Sequence, residues 1–332
     1  MLEIPVAFLI FNRPNTTRRV FKEIARAKPK KLLIVADGPR TDAEVEKCLA
    51  ARAVVEQINW DCEVLMNYSE VNLGCKRRVS SGLDWVFNQC EEAIILEDDC
   101  LPHHTFFHFC AELLERYKGD ERIMVISGNN FTKRETATNY SYYFARYPSI
   151  WGWATWRRAW RYFDPEMAMW TVLRETDWLH DILNDRLPAQ YWHQIFEELF
   201  TRVREGKHGT EWDYIWMLSC WAQNGLAISP TVNLVSNIGF GGEATTTREI
   251  VSSMADIPLA KMIFPLQHPP YVVRDKEADF LTFKSTNPWA ITPPGAYFWL
   301  RKKLLPFTPN VFRKPLAKMR VKLKIGANGQ VT

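Results

Sequence analysis

Three consecutive acidic residues follow a short apolar run near position 95. The run, residues 93–96, is typical of a strand buried on both faces of a parallel sheet, and the acids are Glu97, Asp98 and Asp99. Ligands of open α/β sheets bind at the carboxyl ends of such strands. Side chains alternate along an extended segment, so Glu97 and Asp99 are expected on one side and Asp98 on the other.

Carboxylates this close together repel one another unless a cation lies among them. A hard divalent ion with oxygen ligands, Mn²⁺ or Mg²⁺, is the simplest such cation, and the sequence therefore predicts a metal site after this strand. The alternative is a solvated acidic turn that leads into the next helix, because perturbed carboxylates mark functional sites only statistically.

Further polar residues are expected at the same edge of the sheet. Arg13 follows the first apolar run, residues 6–11, and Arg78 lies near the start of the helix that leads to the acidic strand. An arginine at a ligand-binding edge can contact phosphate, although it can also be merely solvated. Asp37 follows the second apolar run and could accept a hydrogen bond from a base or a ribose, or only cap the turn that it begins.

Aromatic residues and arginines are mixed between positions 147 and 160. Flat aromatic faces beside arginine suit sugar rings and diphosphates, and a buried aromatic layer is the alternative. Further along the chain, Trp212 and Asp213 precede an apolar helix. A carboxylate at a helix N-terminus is stabilised by the helix dipole, so capping is the simplest role of Asp213, but a partly desolvated carboxylate there also suits a general base.

Composition limits the classes of protein that fit. The 332 residues are 47% hydrophobic and 24% charged, and the net charge of +4 is too small to indicate a nucleic-acid partner. Seven cysteines without a Cys-x-x-Cys pair indicate free thiols in a reducing compartment. His103, His104 and His108 with Cys100 and Cys110 could be considered as a zinc site, but zinc needs three or four ligands in set geometry and no His-Glu-x-x-His occurs, which favours partly buried helix residues. With no signal peptide and no membrane-span window, the sequence predicts a cytoplasmic protein.

Strand and helix patterns alternate through the first hundred residues, which predicts an α/β fold with a mostly parallel sheet between two layers of helices. No GxGxxG follows the first strand and no P-loop lysine occurs, which argues against dinucleotide-binding and P-loop enzymes. The predicted strands are 6–11, 32–36, 62–66, 93–96, 122–128 and 227–230. The predicted helices are 17–27, 41–58, 77–90, 102–117 and a mixed stretch from 176 to 206.

Together, these motifs resemble those of an inverting glycosyltransferase of the GT-A fold, of the N-acetylglucosaminyltransferase I type. They are also similar to a bacterial group of nucleotide-sugar glycosyltransferases near family 2. The resemblance covers about residues 4–247 and implies a three-layer α/β/α GT-A domain over 1–250, followed by a C-terminal extension over 251–332.

The resemblance also implies roles for single residues. Asp99 would bind the metal ion and Asp213, in the Trp-Asp pair, would be the catalytic base. Arg13 would contact the donor diphosphate, Asp37 the uracil and Asp98 the ribose. The residues expected to bind the donor are Arg13, Asp37, Arg78, Glu97 and Asp98, and those expected to contact the acceptor or the donor sugar are Gly152, Trp153 and Trp212.

Two departures from the family pattern concern the nucleotide and a late loop. Arg78 stands where the family has a histidine near the base, and Thr246 stands where the bacterial group often carries a histidine. The pocket that reads the sugar has no recognisable counterpart.

The sequence thus predicts a metal-dependent transferase that moves a sugar from a nucleotide diphosphate, UDP by resemblance, to a glycan hydroxyl with inversion. The pathway implied is synthesis of cell-surface polysaccharide or lipopolysaccharide. One alternative is a sugar nucleotidyltransferase, which normally has a glycine-rich phosphate loop that residues 11–14 lack. The other is a non-catalytic glycan-binding protein, which would explain the tryptophans but not the clustered acids.

The end of the chain is basic. No acid follows Asp279, and between Trp299 and Lys324 basic and apolar residues interleave, as in segments that lie on anionic bilayers. This pattern predicts peripheral attachment to the inner face of a membrane, where the resemblance implies a lipid-linked glycan acceptor. A flexible solvated tail is the alternative.

Overall fold

The computed structural model describes residues 1–132, 139–207, 209, 211–240, 254, 257–287 and 290. The first elements in chain order are β1 (Val6–Ile10), α1 (Pro14–Ala27), β2 (Lys31–Ala36), α2 (Asp42–Val55), β3 (Glu63–Tyr68), α3 (Cys75–Gln89), β4 (Glu92–Glu97), β5 (Cys100–Pro102) and α4 (Thr105–Tyr117). The later elements are β6 (Ile123–Ser127), β7 (Tyr142–Ala145), β8 (Trp153–Trp156), α5 (Arg157–Trp160), α6 (Trp170–Leu173), α7 (Trp178–Leu183), α8 (Arg186–Arg204), α9 (Trp212–Ala222), β9 (Leu226–Pro230), β10 (Val235–Asn237) and α10 (Lys276–Thr286).

All of these elements belong to the first of the chain's two units, Met1–Thr286, and the second unit is Asn287–Thr332. The predicted domain bounds, 1–250 and 251–332, stay a prediction. The basic tail and Thr246 lie outside the described residues.

Eight described strands form one sheet in the order β3-β2-β1-β4-β8-β6-β9-β7. The pairs among β3, β2, β1 and β4 are parallel, and β8 is antiparallel to both β4 and β6. β9 is parallel to β6, and β7 is antiparallel to β9. Six of the eight strands therefore run in one direction, which confirms the prediction of a mostly parallel sheet.

Helices cover both faces of this sheet. One apolar cluster joins α1, α2 and α4 to side chains such as Phe8 and Leu96. A second cluster, on the opposite face, joins α3, α5 and α9 to side chains such as Leu9 and Ile95. Neighbouring residues of one strand thus point into different cores, which is why the central strands are continuously apolar. The predicted three-layer α/β/α class is confirmed.

The helix and strand bounds predicted for residues 1–130 differ from the observed ones by no more than three residues. The clearest difference is β8, for which the sequence analysis predicted no strand. β8 is buried on both faces, with Trp153 on the side of α9 and Trp156 on the side of α4, but it has only four residues and includes the polar Thr155, so no continuous apolar run marks it. The helix predicted from residue 102 begins at Thr105 because β5 pairs with β10.

The closeness of α3 to β2 provides a test of the packing. A Cβ atom at Gly82 would lie 2.5 Å from Cγ1 of the buried Val35. Gly82→Val is therefore expected to lower the free energy of unfolding by about 2 kcal/mol, because overpacking a dense core costs about 1–3 kcal/mol. Urea denaturation measures this change. Gly119→Val is the control, since nothing lies within 4 Å of a Cβ atom there. Equal losses in both variants would contradict the predicted close contact.

Candidate active site

The acidic triplet lies where β4 ends and the chain turns into β5. Glu97 is the last residue of β4, and Asp98 and Asp99 form the turn. Arg13 pairs with Asp99, and its Nη1 atom lies 3.8 Å from Oδ1 of Asp98. Both aspartates therefore face the same guanidinium group. The expectation that Asp98 points away from Asp99 is wrong, because side chains alternate only while the backbone stays extended.

Arg13 reaches the acids because β1 and β4 are parallel neighbours whose carboxyl ends meet. Its carbonyl oxygen accepts hydrogen bonds from the backbone N–H (2.9 Å) and the hydroxyl group (2.7 Å) of Thr17, which fixes the start of α1. Burial lowers the pKa of Arg13, but Asp99 and Asp98 outweigh that effect and the pKa is raised overall. The side chain therefore stays charged.

Negative charge in the triplet is only partly neutralised. Asp98 accepts a hydrogen bond from the backbone N–H of Phe11 at 2.9 Å, and Asp99 is paired with Arg13. Within the described part of the chain, no hydrogen-bond donor reaches the Glu97 carboxyl group. Burial, followed by the charge of Asp99, raises the pKa of both Glu97 and Asp98. The site therefore attracts a further cation.

A divalent cation fits this donor set, provided that other ligands come from a substrate. Carboxylate oxygens are the ligands that Mg²⁺ and Mn²⁺ prefer. Among the residues that the structure describes, no three His, Cys, Asp or Glu side chains form a ready-made metal site. Mg²⁺ usually takes only one or two carboxylates and completes its shell with phosphates and water. Metal binding by Asp99 stays a prediction that the residues allow.

The loop after β10 closes over Asp99. The Ile238 N–H donates to the carbonyl oxygen of Asp99 at 2.8 Å. A Cβ atom at Gly239 would collide with Oδ2 of Asp99 and lie 2.8 Å from Nη1 of Arg13. Only glycine allows this approach. The sequence analysis assigned no role to this loop, although its run of glycines was the available signal.

Asp37 holds a loop together. Its Oδ1 atom accepts from the N–H groups of Gly38 and Leu73, both at 2.9 Å. Its Oδ2 atom accepts from Asn72 Nδ2 at 3.0 Å and from the Gly74 N–H at 3.1 Å. A carboxylate offers about four acceptor positions, so a contact with uracil would require one of these bonds to be given up. The uracil contact stays a prediction, whereas the observed role is to position the segment that leads into α3.

Arg78 is buried on the first turn of α3, where it forms hydrogen bonds with the end of β3. Its Nη2 atom donates to the carbonyl oxygen of Asn67 at 2.6 Å and to the side-chain oxygen of Asn67 at 2.7 Å. Burial lowers its pKa. Its Nε atom has no partner among the described residues. Arg78 thus lies at the same sheet edge as Asp37, and its contact with a base stays a prediction.

Asp213 lies on the first turn of α9, on the same face of the sheet as α3. Its charge contributes to the raised pKa values of Glu97 and of Cys75, so Asp213 lies near these groups, and the space among them is the candidate cleft. Burial raises the pKa of Asp213 itself to about 6, although backbone N–H groups of Tyr214 and Asp213 partly oppose this. The carboxylate is therefore still ionised at neutral pH and basic enough to accept a proton.

Cys75 is a residue of this cleft that the sequence analysis did not single out. It is the first residue of α3, and it is exposed. Desolvation, followed by the charges of Glu97 and Asp213, raises its pKa, so the thiol stays protonated and is a poor nucleophile. All seven cysteines are free, as the sequence predicted.

Trp153 and Trp212 do not line the cleft. They are only 1% and 3% exposed, and their ring centroids lie 6.1 Å apart in an aromatic cluster with Trp160 and Trp216. Their rings cannot stack on a sugar, so the predicted contacts of these two side chains are wrong. Trp153 lies in a buried aromatic layer, which was the alternative for residues 147–160. The rings are buried because β8 is an inner strand of the sheet.

Gly152 and Trp151 lie nearer to the acids. Gly152 has φ 71° and its carbonyl oxygen accepts from the Gly128 N–H at 2.8 Å. A contact of Gly152 with a ligand stays a prediction. Trp151 is partly exposed, and its ring centroid lies 5.4 Å from those of Phe131 and Phe240. Since Phe240 follows the loop over Asp99, Trp151 is an aromatic surface beside the acids that the sequence analysis missed.

No protein-family model matches the chain, and no curated protein matches it. Among solved structures, the chain is similar to 4-diphosphocytidyl-2C-methyl-D-erythritolsynthase from Anaerococcus prevotii, with 12% identity and a TM-score of 0.28 over 40% of this chain. The match covers 57% of that protein, so the chain spans little more than half of its length. It is also similar to the apo form of mouse xyloside xylosyltransferase 1, with 12% identity and a TM-score of 0.33, over 67% of this chain and 84% of that one. Similarity this remote assigns no substrate.

The raised pKa of Asp213 has a consequence for stability. Its pKa is about 6 in the fold against a reference value of 3.8, so the native state binds the proton more tightly than the unfolded chain does. Ionisation of Asp213 therefore destabilises the fold increasingly as the pH rises from about 4 to about 6. Asp213→Asn keeps the shape of the neutral form.

We expect Asp213→Asn to be more stable than the wild type above about pH 7, by up to about 3 kcal/mol, and the difference to vanish near pH 4. Thermal unfolding at both pH values measures it. Asp61→Asn, at an exposed loop position, is the control and should show no such pH dependence. A variant that is less stable than the wild type at neutral pH would contradict the predicted desolvation.

Proposed function

We propose that the chain is a metal-dependent glycosyltransferase of the GT-A type, which transfers a sugar from a nucleotide diphosphate to a glycan hydroxyl with inversion. The observation that supports the proposal is the pairing of Arg13 with the acids after β4, together with Asp213, which lies near enough for its charge to raise the pKa of Glu97. The resemblance of the sequence motifs favours UDP as the nucleotide. It also favours a role in cell-surface polysaccharide or lipopolysaccharide synthesis.

The donor side of the cleft would bind the diphosphate through positive charge. A divalent cation held by Asp99 would neutralise the diphosphate as it leaves the sugar. Arg13 would bind a phosphate oxygen in the position that the Asp99 carboxylate takes in this structure. Asp37 would act by fixing the loop at residues 72–74, which would border the nucleotide.

Asp213 would act on the acceptor side. Inversion needs one base, which removes the proton of the attacking hydroxyl as that oxygen reaches the anomeric carbon opposite the leaving group. A pKa of about 6 makes Asp213 ionised at neutral pH and a stronger base than a solvated aspartate. Holding donor and acceptor in line would supply much of the remaining acceleration.

An assay without acceptor tests the class of reaction. With Mn²⁺, slow release of UDP from a UDP-sugar is expected, because water can replace the acceptor hydroxyl. Formation of a nucleotide sugar from UTP and a sugar phosphate would instead indicate a nucleotidyltransferase. Glycan binding without any turnover would indicate a binding protein. Thermal shifts with a panel of nucleotide sugars would identify the donor.

The metal role of Asp99 is tested by Asp99→Ala. We expect loss of transfer and loss of Mn²⁺-dependent UDP binding in calorimetry, because one of few protein ligands is removed. Circular dichroism should show an unchanged fold. Glu63→Ala, at the exposed start of β3, is the matched removal of a carboxylate and should keep both activities. Full activity of Asp99→Ala, or activity that EDTA does not reduce, would refute the metal role.

The base role of Asp213 is tested by Asp213→Asn, which keeps the shape but cannot accept the proton. We expect kcat to fall by roughly 10²–10⁴ with little change in donor affinity. The wild-type rate should rise with pH up to about 6 and then level off, since the ionised form is required.

Asp61→Asn is the control, because Asp61 is exposed on a loop and is not among the groups that shift the pKa of Asp213. It should keep the pH profile of the wild type. If Asp213→Asn loses donor binding but turns over the donor that still binds at the normal rate, then Asp213 is only a helix cap and not the base. A product with retained anomeric configuration would refute inversion.

The cellular location is part of the proposal. Among the described residues, no helix is long and apolar enough to cross a bilayer. We propose a cytoplasmic protein whose basic tail attaches it to the inner face of an anionic membrane, close to a lipid-linked glycan acceptor. The proposal rests on the charge pattern of the sequence after Asp279.

Cosedimentation with anionic liposomes tests the tail. Each basic residue near such a surface contributes about 1 kcal/mol, so the full chain should bind at low salt and dissociate at high salt. A form that ends near Pro294 should stay in the supernatant. Neutral liposomes are the control and should bind neither form. Equal partitioning of both forms would show that the tail is not an anchor.

A further inference from the structure

β3 is an edge strand of the described sheet. Glu63 and Ser69 donate their N–H groups to carbonyl oxygens beside and at the end of β2, at 2.8 and 3.0 Å. In a parallel pair, alternate residues face the neighbouring strand, so the odd-numbered residues of β3 face β2. The N–H and C=O groups of Val64, Met66 and Tyr68 therefore point away from the sheet, and no described residue bonds to them.

This edge lacks the features that usually protect exposed strands. β3 contains no proline and no lysine, and its register with β2 has no bulge. The other edge of the sheet, β7, is instead bridged by the chain itself, at Phe144 and Arg274. Met66 is 48% exposed at the open edge. Helix α2, which packs on the sheet face that carries Phe8 and Leu96, also exposes Val45 and Leu49, one helical turn apart.

The outward residues of β3 are spaced so that the strand complements itself. If a second copy pairs antiparallel about a two-fold axis at Met66, then Met66 faces its own counterpart and Val64 faces Tyr68. All three positions point outward on both strands, so each facing pair can exchange two backbone hydrogen bonds. A β-branched residue opposite an aromatic one is a favourable cross-strand pair.

Charge does not oppose this pairing. Glu63 is the charged residue of β3, and in this register it faces Ser69 of the other copy. Tyr68 is held in place for the contact, because the Arg52 guanidinium lies 4.8 Å from the centroid of its ring. A strand of another protein could also pair with this open edge. The pairing of Met66 with Met66 and of Val64 with Tyr68, however, arises only with a second copy of this chain.

We propose that the chain forms a two-fold symmetric dimer through antiparallel pairing of β3 with β3 of a second copy. The two sheets then continue into each other, and the exposed Met66 at the axis is covered. Closed two-fold dimers are the commonest symmetric assemblies, and they require a self-complementary surface of this kind. The inference does not depend on the proposed transferase activity.

The mass of the full chain in solution tests the dimer. Light scattering coupled to size exclusion should give twice the 38.8 kDa mass of one chain. Met66→Lys would place two like charges at the axis and is expected to give the single-chain mass, a two-fold decrease. Val172→Lys is the control, since Val172 is 69% exposed on α6, and it should stay dimeric.

Thermal unfolding should confirm that both lysine variants are folded. A wild-type protein with the mass of one chain would overturn the proposal. A Met66→Lys variant that keeps the doubled mass would overturn it as well.

Cysteine crosslinking tests the register. Facing residues of a hydrogen-bonded antiparallel pair have Cα atoms about 5.5 Å apart, within disulfide range, so Met66→Cys should form a crosslinked dimer under mild oxidation. Val64→Cys alone should not, because the two Val64 positions would be about 13 Å apart along the strands. The double variant Val64→Cys with Tyr68→Cys should crosslink.

Oxidised wild type measures the background from the seven native thiols. Crosslinking of Val64→Cys alone, or none in Met66→Cys, would overturn the proposed register.

Discussion

Mutual repulsion of the carboxylates after β4 is the constraint that the arrangement of the candidate site must satisfy. Glu97, Asp98 and Asp99 lie in a poorly solvated turn, and burial together with their own charges raises the pKa of the first two. The fold offsets this repulsion only in part, through the Arg13 guanidinium and the N–H of Phe11. A fold that needed only stability would replace such acids with apolar groups, since unpaired buried charge is strongly unfavourable. A cation bound among them would offset the remaining repulsion.

The sheet brings the cleft together, because strands that are distant in sequence are adjacent in space. The parallel pair β1 and β4 places the end of one strand, and hence Arg13, beside the acids that end the other. Asp37, after β2, fixes the segment that leads into α3, and α3 carries Arg78 and Cys75 to the same edge. The polar groups of the cleft thus lie at the ends of strands and helices or within one or two residues of them, and such anchoring favours precise positioning.

The strands and helices of the first half could be predicted because their signals are local. Three apolar runs mark the strands, and the residues that follow them mark the edge of the sheet where the candidate site lies. These runs are 6–11, 32–36 and 93–96. The contacts of single side chains could not be predicted in the same way. Asp37 and Arg13 both follow strands, yet Asp37 accepts four hydrogen bonds, three of them from residues 72–74, whereas Arg13 crosses to Asp99. β8 escaped prediction because it has only four residues and includes the polar Thr155, so it forms no continuous apolar run like those of the other central strands.

The aromatic middle of the chain shows how burial decides function among similar residues. Trp151 and Trp153 are two positions apart, but Trp153 lies inside β8 between sheet and helix, whereas Trp151 precedes the strand and keeps part of its ring exposed. Gly152 separates them with a positive φ, which lets the chain change direction there. The core ring fixes the position of α9, on which Asp213 stands, through its packing with Trp212 and Trp216. The buried tryptophans therefore contribute to the site indirectly, because their packing sets the distance between the Asp213 carboxylate on α9 and the acids after β4.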